Sequence, residues 1–136
     1  MIGPFPCVET NMPLFKRRPK PIALESIDQL EELSRSGKPV LVDFMQYGCS
    51  PCQVMDGIVN ELAEEFEGSA HVVKANAAVV PGAFERFKVR STPTFVLLTG
   101  GEGTTKMTQR WRASGLVKKD ILTRNLESAG AIQTTS

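Results

Sequence analysis

The stretch from Val40 to Phe66 carries two hydrophobic periods in succession. Val40, Leu41, Val42 and Phe44 form an apolar run of strand length, with one acid, Asp43, inside it. Past Cys52 the apolar residues fall at Met55, Ile58, Val59, Leu62, Ala63 and Phe66, the spacing of one helix face. The turn between them holds Cys49-Ser50-Pro51-Cys52. Pro51 suits a first helical turn because its missing N–H is not needed there. The spacing therefore predicts a buried strand that hands over to a helix N-terminus, with the helix running to about Phe66 and Gly68 closing it. Gly57 falls inside that helix, where it weakens the interior by about 1 kcal/mol relative to alanine and permits a bend.

The flanking pattern extends this alternation. Ile22-Ala23-Leu24 predicts a short strand, and Ser26 with Gln29 predicts a capping box that opens a helix. Ile27, Leu30 and Leu33 give that helix its buried face, and Gly37 and Pro39 stop it. His71 to Ala77 predicts a strand through Val72 and Val73. A short helix follows from about Pro81 to Phe87, with Phe84 and Phe87 inward. Thr94 to Leu98 predicts a strand, Gly100 to Gly103 a turn, and Thr104 to Arg112 the hairpin partner. Ser114 is expected to cap a last helix bearing Val117, Ile121, Leu122 and Leu126. The order βαβαβα, then hairpin, then helix predicts an α/β fold, a central mixed β-sheet flanked by helices on both faces. The paired cysteines then stand at the C-terminal end of a central strand, where open α/β sheets place their sites.

The 136 residues suit one domain with a real core. Residues 22–128 are expected to form it. Residues 1–21 read as a flexible Pro-rich basic extension: they hold five of the nine prolines, with Lys16, Arg17, Arg18 and Lys20. This arm is either loosely attached chain or a docking arm for an acidic partner. Cys7 within it is an exposed thiol, or forms a mixed disulfide or a dimer link. No second ligand pair accompanies Cys7, so no metal is expected. Residues 129–136 form a polar C-terminal tail, expected to fray beyond Gly130. A net charge of +1 suggests neither nucleic acid nor an anionic membrane as partner. No apolar run approaches membrane-spanning length, and no signal-peptide pattern opens the chain, so the expected location is cytoplasmic.

Three cysteines are too few for a disulfide-stapled secreted scaffold. Two of them, Cys49 and Cys52, stand where a helix N-terminus offers unpaired N–H groups and partial positive charge. Such a position favours thiolate over thiol, and the thiolate is the nucleophile of disulfide exchange. Cys49 comes first and nearer the tip, so it is the attacking residue. Cys52 lies within the first turn and can attack the mixed disulfide in turn. His71, the only histidine, starts a strand well before the motif and reads as a surface or edge residue, not a base.

The chain here resembles the thioredoxin family. Val42-Asp43-Phe44 stands at the family's distance from Cys49-Ser50-Pro51-Cys52. Ser91-Thr92-Pro93-Thr94-Phe95 matches the segment where the family has a cis-proline beside the cysteines, and Lys74 falls at the family's lysine position. The resemblance covers roughly residues 22–128. It implies a thioredoxin fold and a thiol–disulfide oxidoreductase that reduces protein disulfides through Cys49 and Cys52. Asp43 would take the proton of Cys52, with Lys74 as its charge partner. Pro93 would be cis, leaving the backbone of Thr92 to pair with an extended substrate. Ser50, Pro51, Thr92, Pro93 and Trp111 are the expected substrate-binding residues. The expected partners are disulfide-containing proteins and a separate reductase that regenerates the dithiol. No flavin or nicotinamide motif occurs, so no cofactor is expected in this chain, which is expected to act as a monomer.

Several positions depart from the family pattern. Ser50 stands between the cysteines where glycine is usual, Gly48 and Met45 stand where tryptophans are common, and Gln53 and Ala78 replace charged residues. Arg110-Trp111-Arg112 is expected where the family has a glycine in its substrate groove. These departures keep two alternatives open: a specialised oxidant or isomerase of the same fold, and a binding subunit with incidental redox activity.

Overall fold

The computed structural model describes residues 19–133. The basic arm up to residue 18, with Cys7, and residues 134–136 lie outside the described residues. The elements are β1 (Ile22–Ala23), α1 (Ile27–Ser34), β2 (Val40–Met45), α2 (Ser50–Glu65), β3 (His71–Asn76), α3 (Pro81–Arg86), β4 (Thr94–Gly100), β5 (Met107–Ser114) and α4 (Lys119–Ser128). Among the described residues one five-stranded sheet forms, in the order β1-β3-β2-β4-β5. β1 and β2 each run parallel to β3, while β4 is antiparallel to both β2 and β5. β2 is thus central, as its apolar run requires: all of Val40, Leu41, Val42 and Phe44 are buried.

The alternation of side chains along β2 divides the core into two layers. Leu41, Val72, Phe95 and Leu97 pack with Met55, Val59, Leu62 and Phe66 of the α2 stretch and with Leu122 and Leu126 of α4. Val40, Val42, Phe44, Val73, Val96 and Leu98 pack with Leu30 of α1 and Ala83 of α3. Phe84 meets the Phe44 ring edge-on at 5.1 Å, and Phe87 lies 5.7 Å from the same ring. Burying each such side chain contributes about 1.5–3 kcal/mol. Asp43 shares the face of Leu41, so it points into the layer beneath α2 and not to a solvent-facing end; it is 1% exposed.

Several local expectations are corrected. Ser26 Oγ accepts from the Gln29 N–H, but the Gln29 side chain reaches back to the N–H of Glu25, one residue short of a full capping box. The hairpin partner begins at Met107 and continues through Ser114, with a bulge between Leu97 and Leu98. Ser114 therefore belongs to β5 and caps no helix. α4 opens at Lys119 without a side-chain cap; the Lys119 ammonium instead ties it to Glu61 and Glu65 of α2. Past Gly130 the chain is held, not frayed, through Ile132: Ala131 is buried, and the Ile132 N–H and C=O both bond Ser69 Oγ. α2 stays continuous through Gly57. His71 is half-buried at the end of β3 remote from the cysteines, bonded to Ser36 Oγ.

Candidate active site

β2 ends at Met45, the chain turns through Gln46, Tyr47 and Gly48, and Cys49 becomes the N-cap of α2. Gly48 takes φ +78°, a conformation that side chains disfavour. Cys49 stays extended while Ser50 and Pro51 enter the first turn, and Gln53 closes the first helical bond onto the Cys49 carbonyl. The cysteines form a disulfide with their Cα atoms 5.2 Å apart. Cys49 is 8% exposed and Cys52 2%, so Cys49 is the more accessible sulfur although neither projects into solvent.

Two donors converge on Cys49 Sγ. The Cys52 N–H donates at 3.2 Å, as a capping bond on the helix terminus, and the Thr92 hydroxyl donates at 3.3 Å. Both favour negative charge on that sulfur once the disulfide is opened. The Thr92 carbonyl lies 3.5 Å from the same atom. The Thr92–Pro93 peptide bond is cis.

This segment is pinned from β4 and β5. Thr94, buried, donates its hydroxyl to the Ser91 carbonyl and therefore accepts from Ser114 Oγ at 2.9 Å. The Gly115 N–H donates to the Pro93 carbonyl at 2.8 Å, and Gly115 itself sits at φ +87°. Gly115, not the Arg110–Arg112 stretch, is thus the residue beside Pro93. Trp111 pairs with Leu97, four residues short of Gly115, and packs half-buried on the layer under α2 and α4. The neighbouring arginines are engaged elsewhere: Arg110 donates to Thr99 Oγ1, and Arg112 to the carbonyls of Phe87 and Lys88 where α3 ends.

Beneath α2, Asp43 and Lys74 occupy paired positions on β2 and β3. Neither Asp43 carboxyl oxygen has a hydrogen-bond partner. Burial pushes its pKa up from 3.8 to about 7, opposed by the positive charge of Lys74 and reinforced by the negative charge of Asp56. Lys74 acts on Asp43 through its charge, while its Nζ is bonded to Asp56 Oδ1 at 2.9 Å. Asp56 was not foreseen as a site residue. Its position one turn beyond Cys52 was the available signal, since i and i+4 share a helix face. Gly115 and the Thr92 hydroxyl were likewise missed. Ser50, Pro51 and Tyr47 are exposed around the cysteines.

A Cys-x-x-Cys pair on a helix N-terminus, once reduced to the dithiol, can attack an external disulfide and close again to its own disulfide. The thioredoxin family profile matches residues 22–122. The chain is 34% identical over 97 residues to thioredoxin 1 of Nostoc sp., covering 71% of this chain and 85% of that protein. It is 33% identical over 96 residues to the chloroplastic thioredoxin Y1 of Arabidopsis thaliana, covering 70% of this chain and 56% of that one. A solved structure of a variant thioredoxin from Halobacterium salinarum superposes with a TM-score of 0.69 at 29% identity, covering 84% of this chain and 95% of that one. The chain belongs to the thioredoxin family, has the thioredoxin fold, and is a protein-disulfide reductase that works by dithiol–disulfide exchange through its Cys-x-x-Cys pair.

Proposed function

We propose that Cys49 is the attacking residue and Cys52 the resolving one in the reduction of exposed disulfides on partner proteins. The observation that carries this is the convergence of the Cys52 N–H and the Thr92 hydroxyl on Cys49 Sγ. In the dithiol form the Cys49 thiolate attacks the substrate disulfide, one substrate sulfur leaves as a thiolate, and a mixed disulfide remains. Asp43 then takes the proton of the Cys52 thiol. The Cys52 thiolate attacks Cys49 Sγ, the second substrate sulfur leaves, and the Cys49–Cys52 disulfide forms. Two electrons have passed to the substrate, and a separate reductase returns them.

An extended substrate segment would lie across Ser50 and Pro51 and against the backbone of Thr92 and Pro93, with Gly115 beside them leaving room for its main chain. The functional unit is the domain over residues 22–128, acting as a monomer in the cytoplasm, a compartment that keeps thiols reduced. The test is trapping on a protein-disulfide substrate. Cys52→Ser should accumulate a mixed disulfide at Cys49, and Cys49→Ser should accumulate none. Equal trapping by both variants would reverse or abolish the assignment.

A further inference from the structure

Lys74 stands between two carboxyl groups. On its own sheet face its cross-strand neighbour is Asp43, buried and without a hydrogen bond. From above, α2 lowers Asp56, whose Oδ1 holds the Lys74 ammonium at 2.9 Å. The Lys74 side chain is 26% exposed and that of Asp56 40%, so this pair sits at the rim of the layer while Asp43 lies inside it. A cation bound at the rim gives the inner carboxyl less of its charge than one turned inward, because Coulomb attraction grows at short range and low dielectric.

We propose that Asp56 is a positioning residue for the resolving step: by holding the Lys74 ammonium at the rim of α2, it limits the positive charge that reaches the Asp43 carboxyl and so keeps that carboxyl a strong proton acceptor for Cys52. This rests on the reading of Asp43 as that acceptor. The step it serves transfers the Cys52 S–H proton to an Asp43 oxygen and frees the sulfur's electron pair for attack on Cys49. A carboxylate tightly paired with Lys74 would take the proton less readily. The groups that bear on Asp43 are few: Lys74 from β3, and Asp56 and, when reduced, the Cys52 thiol from α2. β4 offers Phe95 and α4 offers Leu122 and Leu126, all uncharged. The lowering of the Asp43 pKa by the Lys74 charge has the required sign, and the Asp56 charge raises it directly as well.

The experiment is the carbon-13 carboxyl titration of Asp43 in the oxidised protein, where neither Cys49 nor Cys52 titrates. Asp56→Asn should move the Asp43 midpoint down by about one pH unit, the scale of a newly formed close ion pair. Asp56→Glu should restore it. In a Lys74→Met background the Asp56→Asn change should shrink to less than half, because the lysine carries the effect. An unmoved midpoint in Asp56→Asn, or an equal shift with and without Lys74, overturns the proposal. A separate readout is the single-turnover release of substrate from the mixed disulfide. Asp56→Asn should slow release at pH values above the midpoint. If Asp43→Asn leaves release unchanged while the titrations shift as expected, the reading of Asp43 has failed, and the role of Asp56 in the step fails with it.

Discussion

Asp43 and Lys74 stand opposite each other on neighbouring parallel strands, yet the lysine bonds Asp56 and leaves the Asp43 carboxyl without a hydrogen bond. Burial raises the Asp43 pKa from 3.8 to about 7, so folding favours the neutral acid. The sign follows: the protonated group is tolerated fully below pH 4, and stability is lost as pH rises through about 7. A shift of that size amounts to about 4 kcal/mol. Asp43→Asn should flatten this pH dependence, leaving the variant nearly level with the native protein at pH 4 and more stable than it at pH 8. Denaturant unfolding at the two pH values measures this. A native protein whose stability does not fall across that interval would remove the buried-acid account.

Thr92 donates its hydroxyl to Cys49 Sγ at 3.3 Å. A hydrogen bond to a charged group contributes about 1.5 kcal/mol or more, roughly tenfold in the thiolate fraction. About half of this on a logarithmic scale is offset, because a more stable thiolate is the weaker nucleophile. Thr92→Val should therefore slow alkylation of Cys49 in the reduced protein, and its attack on a substrate disulfide, about threefold at neutral pH. Thr92→Ser should keep the native rate. Equal slowing by both variants would assign the effect to packing.

Gly115 and Trp111 make opposite predictions. Gly115 has φ +87° and bonds the Pro93 carbonyl, and a Cβ placed there meets nothing within 4 Å. Gly115→Ala should cost about 1–2 kcal/mol of backbone strain and impair the use of protein substrates more than that of a small disulfide. Trp111→Phe should lower stability through its half-buried ring and leave substrate use unchanged. Steady-state kinetics with a protein and a small-molecule disulfide separate the two. A larger kinetic effect at Trp111 would restore it to the groove.

The periodicity of the apolar residues made most of the architecture legible. Val40 to Phe44 and Met55 to Phe66 could be placed because burial on one or two faces leaves an unmistakable period. Cys49, Cys52 and Pro93 stood out because their chemistry needs rare residue types at fixed spacing. The limits of β5 did not stand out: Ser114 is as good a helix cap in sequence as it is a partner for the buried Thr94 hydroxyl, and only the β4 register decides. Trp111 was misplaced for the same reason: the β4–β5 register sets it opposite Leu97 and brings Gly115 to Pro93. The choice of Lys74 between Asp43 and Asp56 depends on how α2 crosses the sheet, which no local pattern encodes.

Arg112 shows a further role legible only in three dimensions. Its guanidinium bonds the Phe87 and Lys88 carbonyls, the second at 2.8 Å, where α3 ends. Arg112→Met should cost about 2 kcal/mol, since it leaves both carbonyls without that charged donor. Thermal unfolding measures the loss, and Cys49 alkylation should be unaffected because the contact lies away from the cysteines.

The central claim is that the Cys49–Cys52 pair donates electrons to protein disulfides. Its most direct test is the equilibrium potential of the pair against a glutathione buffer. The account predicts a value near about −270 mV, the figure known for thioredoxin itself, at which the dithiol is a reductant. A value above roughly −200 mV would make the disulfide an oxidant and contradict the account.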